Sequence, residues 1–499
     1  MAGPLDEERD DGSPEPASER GRAAPAGGDP RLGDPTGPEE ASQDPALQAD
    51  SAQAWGLRGR ALGAARVPTS KSIAQRFIVA AGLAHGRTRL AGLPDGDDVA
   101  AALAWARDLG MVTRQHGPAA VTLTGCPPGP SRGLAGASSG PWRVGESGTL
   151  ARLLIGAAGL ASQAGRSVRI EASGSLVRRT PGPLLDALRT AGARVQELGA
   201  PWPLEVSAVG PPSEVFLDAP ISSQEVSSLL LALAAWPDQG ALRVRGPLPS
   251  PPYIDLTRWA LERFGVATEA HRVGPEEALF LVNGPLCPPE EPLTVEPDAS
   301  AAAVALAAGC LSGGRVVIPG LGRETPQGDI RILEHLRAFG CSAGFDEVGA
   351  WAEGTPRAGA RIDLSGEPDL APVLVPLAVA AARDLGRTSE LGGLGTLEGK
   401  ESPRLTVLAR FVEALGCRAE VRGELLRVDP GPGPASEQVL LLEGHGDHRM
   451  VFAGVLLSLV EPRVRVRGLQ AATKSWPRLR QDLASLGLEW VQDATPRAS

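Results

Sequence analysis

One pattern, repeated six times, constrains this chain more than any other feature. It is an amphipathic helical stretch that ends in a glycine and runs into a strand-like segment. The copies read "ALAWARDLGMV", "LLDALRTAGARV", "ALERFGVAT", "ILEHLRAFGCSA", "FVEALGCRAEV" and "DLASLGLEWV". Their closing glycines are Gly110, Gly192, Gly265, Gly340, Gly416 and Gly487, spaced 82, 73, 75, 76 and 71 residues apart. Glycine caps helix C-termini because it takes the left-handed conformation without the steric cost of a Cβ. A steady period of this length marks a chain made of copies of one supersecondary unit.

A second series precedes each copy of the first. A polar start opens an almost wholly apolar helix, and a basic or glycine turn leads on to a strand. Examples are "SKSIAQRFIVAAGLAHGRTRLAG", "SSQEVSSLLLALAAWPDQGALRVRG" and "DHRMVFAGVLLSLVEPRVRVRG". Helices that are apolar all round are buried ones. Each unit therefore predicts one buried and one half-exposed helix alternating with strands. At 499 residues the chain is too long for one core. Six α/β units grouped as two domains of three is the simplest architecture that fits.

The starts of the buried helices carry the functional signal. Ser, Glu and Asp are ordinary N-caps, and Asp298 is read as a cap alone. Helix N-termini also attract anions through free N–H groups and the macrodipole. Lys71, the Ser222-Ser223 pair and the His448-Arg449 pair all sit at such starts. If several of these termini meet in one cleft, its ligand is phosphorylated or carboxylated.

Composition sharpens the point. Of 49 basic residues only Lys71, Lys400 and Lys474 are lysine, and Tyr253 is the single tyrosine. Retained lysines mark places where a compact, tunable ammonium does what a planar guanidinium does not. The net charge of −10 is confined almost wholly to residues 1–53, which hold thirteen acidic and four basic residues. That stretch has no aromatic residue and too little apolar surface to offset its ordering entropy, so it reads as a disordered acidic tail. The rest is nearly neutral, with no general push towards nucleic acid or an anionic membrane. No apolar run is long enough for a membrane span. The five cysteines, Cys126, Cys287, Cys310, Cys341 and Cys417, form no C-x-x-C pair, and the histidines have no metal-ligand spacing. The chain reads as a soluble cytoplasmic protein without a metal site.

Nine short motifs then give the chain a close resemblance to one family, the 5-enolpyruvylshikimate-3-phosphate synthases. They are "SKSIAQR" (70–76), "GESGTLAR" (145–152), "SLVRRTP" (175–181), "SSQ" (222–224), "SPPYID" (250–255), "PDLAP" (368–372), "GKESPRL" (399–405), "DHRM" (447–450) and "ATKSWP" (472–477). Each is weak alone; nine in order on a six-unit frame are specific. The resemblance implies an α/β fold of two similar domains, each of three βαβαββ units, closing over a cleft. One domain would be 70–296. The other would be discontinuous, 54–69 plus 297–495, with two chain crossings as hinge.

The same resemblance implies transfer of the enolpyruvyl group of phosphoenolpyruvate to the 5-hydroxyl of shikimate 3-phosphate, releasing phosphate, by a monomer that needs no metal or cofactor. Matched position by position, Ser72, Arg76, Ser222, Ser223, Gln224, Ser250, Tyr253, Asp369, Thr396 and Lys400 would contact shikimate 3-phosphate. Gly148, Arg179, Gln224, Arg404, Arg449 and Lys474 would hold phosphoenolpyruvate, and Lys71 would touch both. Asp369 would be the base towards the 5-hydroxyl, and Glu401 the acid towards the methylene; together with Lys71 they form the expected catalytic set.

Several positions depart from the family pattern: Thr69, Gln75, Glu146 (commonly Asn), Pro251, Thr180, Thr396, and Ser402-Pro403. The related enolpyruvyl transferase acting on UDP-N-acetylglucosamine carries a reactive cysteine in the loop matching "GSLVRRTP", where this chain has none. A catalytically dead relative that uses its acidic tail to bind partners is the rival of another class. Retention of Lys71, Arg179, Asp369, Glu401, Arg449 and Lys474 together stands against it.

Overall fold

A computed structural model describes residues 53–125, 140–162, 167–210 and 212–492. The acidic stretch up to residue 52, and Cys126, lie outside the described residues. The predicted repeat is present in three dimensions as six four-stranded sheets. In the simplest unit the strand Glu214–Asp218 leads through the helix Ser223–Leu233 to a parallel strand, Gln239–Arg245. The helix Pro251–Arg263 and the antiparallel strands Ala267–Gly274 and Glu277–Asn283 follow. A parallel pair needs a crossover, and the buried helix supplies it. The order is βαβαββ. Val215, Leu217, Leu242, Val244, Phe280 and Val282 are buried, so alternate residues of three strands face the helices.

All six sheets share the scheme of one parallel and two antiparallel pairings, and two of them close only by long-range pairing. Leu293–Thr294 pairs with Arg87–Ala91, and Leu62–Ala64 pairs with Arg315–Pro319. In a third sheet Ala54–Gly59 lies between Val464–Arg467 and Leu488–Gln492. Apolar side chains accordingly gather into two cores: one from residues 73–295, the other from 55–65 together with 299–488. The chain passes between these groups twice, and the two passages touch. Ser70 N–H donates to the Glu296 carbonyl (2.9 Å) and Asp298 N–H to the Pro68 carbonyl (2.9 Å).

The buried helices are Lys71–Leu83, Gly148–Gly156, Ser223–Leu233, Ala299–Leu311, Ala371–Leu385 and His448–Val460. Wholly buried leucines such as Leu229, Leu230 and Leu231 stabilise the fold by ~1.5–3 kcal/mol each. The six closing glycines all have positive φ, between 71° and 100°, the conformation the capping pattern requires. Asp298 accepts from Ala301 N–H (2.9 Å) and is a cap, as read. Ser70 is not one: its hydroxyl is buried without a hydrogen-bond partner among the described residues. No described helix is long and apolar enough to cross a membrane.

Candidate active site

Several buried helices turn their N-termini towards one cleft beside the chain crossings. Lys71 and Ser72 line it from the first helix, Tyr253 from Pro251–Arg263, Asp298 and Ser300 from the start of the fourth, and His448 and Arg449 from the last; Lys474 lines it too. Lys71 Nζ reaches Asp98 Oδ2 at 3.1 Å. Burial pulls its ammonium pKa down, but Asp98 and Glu401 outweigh this and leave it raised.

A single guanidinium organises the carboxylates of this cleft. Arg404 opens the helix Arg404–Ala414 and is 1% exposed. Its Nη1 donates to Asp369 Oδ1 (2.6 Å), its Nη2 to Glu401 Oε2 (2.6 Å) and Asp447 Oδ1 (3.1 Å), and its Nε to Asp447 Oδ2 (2.7 Å). Ser402, one of the departures, donates its hydroxyl to Asp447 Oδ2 (2.9 Å) and completes the set. Four of the five donors of Arg404 are therefore spent on carboxylates, leaving one for a ligand.

Around this core stand cations with fewer ties. Arg449 Nη1 donates to the Asp369 carbonyl (2.9 Å) and Nη2 lies 3.4 Å from its carboxylate. Lys400 Nζ is 3.5 Å from Asp369; Lys474 Nζ and Arg179 Nη1 are 3.8 and 3.7 Å from Glu401. Burial pushes the Asp369 carboxyl up, yet Arg449, Lys400 and Arg404 hold it far below the carboxylate range. Burial likewise raises Glu401, and Arg404, with Arg179 and Lys474, overcomes it and keeps the group well below its ordinary value. His448 adds no lasting cation, because burial, then Lys71 and Arg449, hold its pKa well below 6.5. Both carboxyls are thus ionised at neutral pH.

Gly148 opens its helix beside Arg179: a Cβ there would lie 2.9 Å from Arg179 Nη2 and 3.3 Å from Arg152 Nη1. Arg152 is nearly buried, its Nε has no hydrogen-bond partner among the described residues, and burial and Arg179 lower its pKa to about 10. Gln224 donates to Thr149 Oγ1 (2.9 Å), tying the second and third helix starts together. Ser222 is chiefly a cap, forming a capping box with Glu225, and Ser223 is buried behind it. Ser250 has φ +43°, a conformation costly for a residue with a Cβ, just before the helix of Tyr253. Thr396 carries a buried hydroxyl without a partner among the described residues, on a turn packed against that of Asp369.

Arg76 spends most of its donors inside the protein. It is 1% exposed and donates to Thr257 Oγ1, Ser227 Oγ and the Ser72 and Tyr253 carbonyls, so one N–H remains for a phosphate. Among the described residues it has no carboxylate partner, and burial lowers its pKa to about 10. Sequence reasoning missed Asp447, Asp98, Asp329 and Gln75 as parts of the site. Asp447 lay in a quoted motif, but only its contact with Arg404 reveals what it does. Asp98 has no signal beyond a helix start. Gln75, noted only as unusual, donates to Ser147 Oγ (2.8 Å) and the Asp98 carbonyl (3.3 Å). Among the described residues no group of three or more His, Cys, Asp or Glu is placed to hold a metal ion.

A family model described as EPSP synthase (3-phosphoshikimate 1-carboxyvinyltransferase) matches residues 58–483. The chain belongs to this family. It is 35% identical over 433 residues to the 3-phosphoshikimate 1-carboxyvinyltransferase of Aeropyrum pernix, covering 85% of this chain and 93% of that one. To the protein of the same name from Nitrosomonas europaea it is 33% identical over 442 residues, covering 86% and 96%. The solved EPSP synthase of Acinetobacter baumannii superposes with a TM-score of 0.69 at 22% identity, over 88% of this chain and 100% of that one. The family places this chain among enolpyruvyl transferases of the shikimate pathway, a transferase class of aromatic amino acid biosynthesis.

Proposed function

We propose that the cleft of this EPSP synthase family member transfers the enolpyruvyl group with Asp369 and Glu401 as its two working carboxyls. The observation that carries the reading is that one buried arginine holds both, ringed by Lys71, Arg179, Lys400, Arg449 and Lys474. A carboxylate kept ionised by cations is a competent base, and Asp369 takes the proton of the 5-hydroxyl as that oxygen attacks the enol carbon. Glu401 must be protonated to deliver a proton to the methylene, and its neighbouring cations hold it ionised. The substrate changes this. The phosphate and carboxylate of phosphoenolpyruvate occupy Arg179, Lys474 and Arg449; engaging Arg179 and Lys474 weakens their pull on Glu401 and brings negative charge beside it, while burial continues to push its pKa up. Binding thus charges the acid with its proton. In the second half Glu401 recovers a proton from the new methyl group, and the departing phosphate leaves with the proton taken up by Asp369.

Shikimate 3-phosphate is assigned to Ser72, Tyr253, Lys400, Thr396, Ser250, Gln224 and the Ser222-Ser223 helix start, with Arg76 as their buried support. Phosphoenolpyruvate is assigned to Lys71, Arg179, Arg449 and Lys474, with Gly148 leaving it room. The two cores correspond on this reading to domains 70–296 and 54–69 plus 297–495, hinged at the paired crossings. We read the protein as a cytoplasmic monomer, which sedimentation would test. The activity test is phosphate release from phosphoenolpyruvate with shikimate 3-phosphate, beside UDP-N-acetylglucosamine, with product mass recorded. Release only with shikimate 3-phosphate, alongside an enolpyruvyl adduct, is expected. Release with neither acceptor from folded protein would overturn the reading.

A further inference from the structure

Glu146 stands where the motif commonly has asparagine, and its place at the rim of the phosphoenolpyruvate side suggests an unwelcome negative charge. Its carboxylate, however, turns to the loop that ends in Arg179. Glu146 Oε2 accepts from both the N–H (3.1 Å) and the hydroxyl (2.9 Å) of Ser175. Gly174 makes room for this: it has φ +56°, and a Cβ there would lie 2.0 Å from Glu146 Oε1. The far end of the loop is tied as well, because Trp202 Nε1 donates to the Arg179 carbonyl (3.1 Å). Between these ties Leu176 is wholly buried, and Arg179 N–H donates to its carbonyl (3.0 Å). The Gly174–Arg178 turn is therefore held at both ends, and Arg179 leaves it towards Gly148 and Glu401.

We propose that Glu146 is a positioning residue for Arg179, latching the start of its loop so that the guanidinium meets phosphoenolpyruvate in place. Asparagine, one methylene shorter, does not span the same distance, so the latch belongs to this sequence rather than to the motif. The proposal rests on the reading of Arg179 as a phosphoenolpyruvate ligand. Because Glu146 is exposed, its variants test positioning without endangering the fold. Glu146→Gln keeps the reach and the accepting oxygen, whereas Glu146→Ala removes both.

Steady-state kinetics with each substrate varied in turn decides the matter. Glu146→Ala should raise KM for phosphoenolpyruvate roughly tenfold, the order expected when a loosened loop misplaces a charged donor. KM for shikimate 3-phosphate and the melting temperature should stay unchanged, and Glu146→Gln should behave as wild type. If Glu146 acts instead as a repelling charge, both variants lower KM for phosphoenolpyruvate and the latch is refuted. Equal and unchanged KM values in both variants refute it too. An inactive wild type would strike at the functional reading, whereas an active one with an indifferent Glu146→Ala would strike only at the latch.

Discussion

Replacing Arg404 by lysine tests the organisation of the site at its centre. The wild-type guanidinium makes four contacts of 2.6–3.1 Å to three carboxylates, of which Asp447 is fully buried. A lysine brings one compact cation that can meet only part of this set, and at least two contacts are lost. Charge-assisted hydrogen bonds contribute ~1.5–3 kcal/mol each, and breaking a buried ion pair costs ~3–5 kcal/mol because a charge is left uncompensated. The expected loss is ~3–5 kcal/mol, a fall in the folding constant of about a hundredfold to several thousandfold at ~1.4 kcal/mol per tenfold. Urea unfolding at pH 7 measures it, and the transition of the core built from residues 299–488 should be the one that moves. The loss should shrink with acidification. Asp369 and Glu401 have depressed folded pKa values, so their stabilisation is present above the unfolded range near pH 4 and fades as pH falls below it. The acid limb of kcat/KM should move to higher pH, since a cation favouring the ionised forms has become less effective. A stability within ~1 kcal/mol of wild type, or an unmoved acid limb, would show that Arg404 does not organise these carboxylates.

Three further outcomes follow from the geometry. Gly148→Ala should leave stability within ~0.5 kcal/mol of wild type, since Gly148 is the first residue of its helix and the contact its Cβ makes is with the far end of a flexible arginine. By forcing the Arg179 tip aside it should raise KM for phosphoenolpyruvate roughly tenfold; unchanged KM would show that the close approach is harmless. Asp329, buried beside Arg449 and bonded to Ser300, has its pKa raised by burial to about 6. Because the native state holds this proton more tightly, the cost of Asp329 builds up as pH rises from the unfolded value of about 4 to the folded value of about 6 and is constant above it, so Asp329→Asn should be ~1–3 kcal/mol more stable at pH 8, with the gain vanishing towards pH 4. Lower stability of the variant at pH 8 would refute this. Glu367 is fully buried between His335 (2.8 Å) and Arg331 (2.9 Å), two residues before Asp369. Glu367→Ala should cost ~3 kcal/mol in urea melts, while replacing Glu367 and His335 together by leucine should cost much less; equal costs would argue against the buried pair.

The six-unit repeat, the two helix types and the glycine stops were legible in the sequence because they are local. Apolar periodicity and a left-handed cap depend on neighbours a few residues away, and the six positive φ values follow from them. The motif positions Lys71, Tyr253, Arg449 and Lys474 were legible too, and they line one cleft. Tertiary structure alone decided which strands complete which sheets, since Leu62–Ala64 and Leu293–Thr294 are too short to signal partners more than 200 residues away. It also decided how the charged residues divide their work. Arg76 and Arg404 look like any ligand-gripping arginine in sequence, yet burial spends most of their donors inside the protein. Glu146 looks like a misplaced charge, yet it meets Ser175. A residue type states what a group can bond; only the fold determines which partners reach it before a ligand does.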